Sequence, residues 1–99
     1  MKIFEQNWGE GEDEAGTTIY AEILPSGELL ISGEDYGKSV ELFKGSDSYE
    51  YHLVIPEQDH QKLMMELLSV GFNSKRLLSF SRLQRICKNL GIKAESIDR

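Results

Sequence analysis

Apolar and polar positions alternate with a period of two over several stretches of this chain. From Thr17 to Leu24, Ile19, Ala21 and Ile23 point one way and Tyr20, Glu22 and Leu24 the other, the pattern of a strand with one buried face. Pro25-Ser26-Gly27 follows as a turn, because proline presets φ at the first corner and glycine accepts a positive φ. Glu28 to Ser32 then returns as the second arm of a hairpin. Tyr49 to Ile55 is a further strand, with Tyr49, Tyr51, Leu53 and Ile55 on one face and Glu50, His52 and Val54 on the other. Lys2 to Trp8 reads as a first strand with less regular alternation.

The period changes after Pro56. Proline suits a first helical position, Glu57 and Asp59 complement a helix N-terminus, and Gly71 stands where a helix-ending glycine belongs. Leu63, Met64, Leu67 and Leu68 form the apolar stripe of this helix. A second helix starts between Ser74 and Ser79 and ends at Gly91, with Ile92 placed for the apolar contact that closes such a cap. Phe80, Leu83, Ile86, Cys87 and Leu90 line its inner side and Arg82, Arg85 and Lys88 its outer side. Residues 92–97 have room to return as a short edge strand. Strands first and helices afterwards predict an α+β domain over 1–99, with a small antiparallel sheet of about four strands and two C-terminal helices on one face.

Between these elements lie breakers. Gly9 to Gly16, with three glycines and four acids, and Gly33-Glu34-Asp35-Tyr36-Gly37 both read as solvated loops. Lys38 to Phe43 fits a short helical turn or a short strand, and Lys44 to Ser48 a turn.

Composition adds two constraints. Ninety-nine residues suffice for one modest core. The single cysteine, Cys87, forms no internal disulfide and fits a reducing compartment. The start has no apolar signal region and no apolar run approaches the roughly 20 residues of a membrane span, so a cytoplasmic protein without a membrane partner is expected.

Charge changes the picture more. Residues 1–60 carry fourteen acids against three Lys/Arg, a balance of −11, while residues 61–99 carry three against eight, a balance of +5. An acidic half of this kind steers basic partners.

Reactive chemistry finds no support. Gly33 to Ser39 ends in Gly-Lys-Ser like a phosphate loop, but has one residue too few between its glycines and two acids where phosphates would lie. His52, His60 and Cys87 fall on three different elements, so no four-ligand metal site forms; the Gly11 to Glu14 loop lacks the alternating ligands of a calcium loop. Cys87 lies on an apolar helix face, where a thiol is a core residue and not a nucleophile. No catalytic residue, metal or cofactor is assigned, and the chain is expected not to be an enzyme. The cations Lys75, Arg76, Arg82, Arg85 and Lys88 offer a basic helix over 75–88 as an alternative, for nucleic acid or for the acidic half of a second copy in a homodimer. A sequence pI near 4.9 makes nucleic acid the weaker choice.

Leu30 to Gly37, Ser48-Tyr49-Glu50-Tyr51, the helix from Pro56, and Phe80 through Leu90-Gly91-Ile92 together resemble a group of small acidic bacterial proteins, some of them similar to immunity proteins that neutralise toxins. The resemblance implies a small inhibitor that captures a basic, toxin-like protein. The charge split and the acidic loops over 9–16, 33–37 and 45–50, not the resemblance, make Glu12, Asp13, Glu14, Glu34, Asp35, Tyr36, Asp47 and Glu50 the expected partner-binding residues.

Overall fold

The computed structural model describes residues 1–9, 14–37 and 48–98. The alternating stretches form one antiparallel sheet in chain order: β1 (Lys2–Trp8), β2 (Ala15–Ile23), β3 (Leu29–Tyr36), β4 (Ser48–Ile55) and β5 (Glu95–Asp98). After β4, a 3-10 turn at Glu57–Asp59 leads into α1 (His60–Asn73), and α2 (Phe80–Asn89) precedes β5. The expected α+β class and helix placement hold. The sheet has five strands rather than about four, because the return expected over 92–97 pairs with β4 at the sheet edge.

The turn between β2 and β3 closes as its chemistry dictates. Leu24 N–H donates to Glu28 O at 2.8 Å and Gly27 takes φ +90°. Register then sorts the side chains. Ile19, Ile31, Leu53 and Ile55 face the helices and meet Leu63, Leu83, Cys87 and Ile92 in a single apolar cluster. Burial raises the Cys87 thiol pKa above the ordinary range, as expected of a core cysteine.

The region around Gly33 departs from expectation. Gly33 to Tyr36 continues β3 without a break, paired with β2 on one side and β4 on the other. Only Gly37, at φ +126°, takes a turning conformation. The turn expected over 44–48 and the helix-or-strand alternative over 38–43 lie outside the described residues, except that Ser48 opens β4.

The helices differ from expectation in detail. Pro56 precedes the 3-10 turn, and α1 proper begins only at His60, four residues after the proline. Gly71 does not end α1, which runs on to Asn73, where Asn73 Nδ2 donates to Ser69 O at 2.8 Å. Of the expected stripe, Leu63 is buried and Leu67 packs on the core, while Met64 and Leu68 are more than half exposed.

The second helix keeps its signals. Ser79 caps it, its hydroxyl accepting from Arg82 N–H at 3.1 Å. At the far end Gly91 takes φ +74°, and Ile92 N–H donates to Cys87 O at 2.9 Å, the bond pattern of a glycine-closed helix. Ser79→Ala is expected to cost about 1 kcal/mol, because it orphans an amide of the first turn. A lower urea midpoint at unchanged slope checks this, with Ser79→Asp retaining the wild-type value.

Candidate functional site on the open face of the sheet

The helices cover one side of the sheet, and no helix or strand among the described residues packs on the other. The residues that reach it follow from register. One row runs Glu5, Thr18, Glu34 and Glu50 across β1 to β4. The rows beside it place Tyr20, Ser32 and His52, then Glu22, Leu30, Val54 and Glu95, on the same side. Glu5, Tyr20, Glu22, Glu34, Glu50 and Glu95 are all exposed. The row is therefore strongly acidic.

Within it, Glu34 and Glu50 stand directly opposite one another on adjacent strands. Like charges in this position destabilise a sheet, and a neutral pair would fit as well. Nearby cationic relief is slight among the described residues. Lys2 Nζ is bonded to Glu5 Oε2 at 3.0 Å, at the far edge of the row. That contact raises the lysine pKa by hydrogen bonding and by the charge of Glu5. His52 Nδ1 is 3.0 Å from Ser32 Oγ. Its Nε2 is buried without a hydrogen-bond partner among the described residues, and Glu50 Oε2 at 3.9 Å is too distant to serve as one.

The expected partner-binding residues do not share one surface. Glu34 and Glu50 lie side by side on the open face. Tyr36 belongs to the same side, but it is folded down over Gly16, and its hydroxyl donates to Asn7 Oδ1 at 2.9 Å with Glu14 Oε1 at 3.5 Å. Desolvation, and then the charge of Glu14, push its phenol pKa upward. Glu14 is thus brought to the edge of the face through Tyr36. Asp35 stands apart from them. It points to the helix side of β3, where Thr17 Oγ1 and Tyr51 Oη both donate to its Oδ1, at 2.8 and 2.9 Å. A strand alternates, so neighbours Glu34 and Asp35 cannot serve the same surface. Glu12, Asp13 and Asp47 lie outside the described residues.

Three residues that the sequence reading passed over, Glu5, Glu22 and Glu95, complete the acidic face. The signal was present for Glu22, whose outward position follows from the alternation of β2; Glu5 needed the irregularity in β1 between Lys2 and Phe4 to be known.

The basic helix is less free than its sequence implies. Arg82 turns back onto the link between the helices, donating from Nη1 to Ser74 Oγ at 3.0 Å and to Arg76 O at 3.4 Å. Arg85 and Lys88 remain exposed. No group of three or more metal-binding side chains gathers among the described residues, and no helix among them is long and apolar enough to cross a membrane. No protein-family model, curated protein or solved structure matches the chain.

Proposed function

We propose that this protein is a binding module, of the inhibitor or immunity type, that holds a basic protein partner against the open face of its sheet. The observation that carries the reading is the directly opposed pair Glu34 and Glu50, in line with Glu5. A fold accumulates such a local penalty where a surface serves something other than its own stability. A partner's lysines and arginines would turn the repulsion into attraction, and the acidic field would accelerate encounter.

The variant Glu34→Lys plus Glu50→Lys separates the two roles. Tagged wild type, this variant and a control with Glu28→Lys plus Glu66→Lys are used as baits in nuclease-treated extract of the source cells. A basic protein should be retained by wild type and control, released by salt, and retained at least tenfold less by the face variant. The face variant itself should unfold at no lower urea concentration than wild type. Equal retention by all three baits, or retention of nucleic acid alone before treatment, would overturn the reading.

A further inference from the structure

On the helix side of the sheet, a cavity of about 510 Å³ opens between β1 to β4 and the start of α2. Its walls include the rings of Phe4, Tyr49, Tyr51 and Phe80, the carboxylate of Asp35, and Gln84. The volume lies in the range that small molecules occupy. We infer that this cavity is a binding site for a small organic cation, an ammonium or guanidinium group on an alkyl body, held by Asp35 and the surrounding rings.

Asp35 is the anomaly that points there. The positions preceding it on the helix side of β3 are Leu29, Ile31 and Gly33. An aspartate in that series is costly unless it is satisfied. Two hydroxyls supply that satisfaction at a single oxygen, Oδ1, and they also fix the direction of the carboxylate. Burial and the bond to Asp35 push the Tyr51 phenol far above its ordinary range, which keeps it a donor. A carboxylate oriented by two donors in this way is preorganised for a ligand.

The rings supply the second half of the recognition. Tyr51 and Phe80 meet edge to face with centroids 4.5 Å apart, and Tyr49 is tilted at 48° to Tyr51 at 5.8 Å. Together with Phe4 these rings give the cavity an aromatic side, the kind of surface that attracts an organic cation. No Lys, Arg or His is among the described residues that line the cavity, and the chain carries a net charge of −6. A bare divalent metal is disfavoured because Asp35 is the only carboxylate among the described lining residues, whereas such ions draw on several charged oxygen ligands. An anion at the start of α2 would meet the full charge of Asp35 against only the partial charge of a helix end.

Side-chain NMR of the full chain, with Tyr and Phe rings labelled, tests this site. The probes are choline, agmatine, the uncharged choline isostere 3,3-dimethyl-1-butanol, and inorganic phosphate. At least one of the two cations should shift the Tyr49, Tyr51 and Phe80 resonances in a saturable manner, with the isostere at least tenfold weaker. Asp35→Asn keeps an acceptor for Thr17 and Tyr51 and should weaken cation binding at least tenfold. Phe80→Leu, which retains apolar bulk, should weaken it severalfold. Glu34→Lys plus Glu50→Lys should leave it unchanged, so the cavity and the open face stand or fall separately. Absence of saturable shifts with either cation, equal binding of the isostere, indifference to Asp35→Asn, or saturation by phosphate alone would each overturn the inference.

Discussion

Leu63→Ala is expected to remove about 2–5 kcal/mol of stability, a large part of what a domain of this size has. The reason lies in how α1 is attached. Leu63 is the one buried residue in its fourteen, at 2% exposure, and it fits among Leu53, Ile55 and Leu83. Leu67 packs beside it, half-buried. Much of the remaining apolar content of α1 faces outward: Met64, Met65 and Leu68 are over half exposed and Phe72 is 89% exposed. Helices of this length draw most of their stability from a packed face, so one anchor carries nearly the whole element. Leu68→Ala should cost no more than about 0.5 kcal/mol, as exposed substitutions usually do. Urea unfolding of both variants gives the comparison. Hydrogen exchange sharpens it, because α1 amides in Leu63→Ala should lose protection well before those of β3 and β4. Equal costs at 63 and 68 would contradict this account of the helix.

The second large effect is expected at Gly33. Its backbone is ordinary strand, so the requirement there is for space and not for a positive φ. The Tyr51 ring from the neighbouring strand lies across it, and a Cβ at position 33 would overlap ring atoms Cε2 and Cζ. Glycine inside a strand commonly marks such a close approach. The ring cannot simply swing aside, since its hydroxyl is bonded to Asp35 and its edge packs on Phe80. Gly33→Ala should therefore cost about 1–3 kcal/mol, the usual range for overpacking, and Gly33→Val more. A double-mutant cycle assigns the cause. In a Tyr51→Leu background most of the Gly33→Ala penalty should vanish, whereas an unchanged penalty would place the strain elsewhere.

These two positions also mark the boundary of what the sequence disclosed. Period-two alternation correctly sorted Tyr51, Leu53 and Ile55 from Glu50, His52 and Val54, since each strand buries one face against the core. The hairpin at Pro25 to Gly27 and both ends of α2 were legible because their chemistry is local. Gly33 to Tyr36 was not. Glycine and two acids in a row look like loop, yet Gly33 is there to admit a ring and Asp35 is made tolerable by Thr17 and Tyr51, partners on other strands. No local pattern carries that information. The same holds for α1, where the stripe of Leu63, Met64, Leu67 and Leu68 suggested four inward positions and tertiary packing used Leu63 and Leu67. At the candidate site, Glu34 and Glu50 were readable as exposed acids. Their opposition was not, because it depends on the β3 to β4 register.

The chain-order arrangement of the strands has a consequence for how the molecule reaches this state. Strands β1 to β4 each pair with the strand next in sequence, so the sheet can grow by successive hairpins, each closing a modest loop at small entropic cost. Isolated hairpins form within microseconds, and pairings between sequence neighbours favour rapid folding. Only β5 must reach back, across both helices, to find the edge of β4. Until the helices dock, the side bearing Ile19, Ile31 and Leu53 remains wet, and little holds the meander together. The arrival of Leu63 and Leu83 with their helices is therefore expected to limit the folding rate, with the closing of β5 following it.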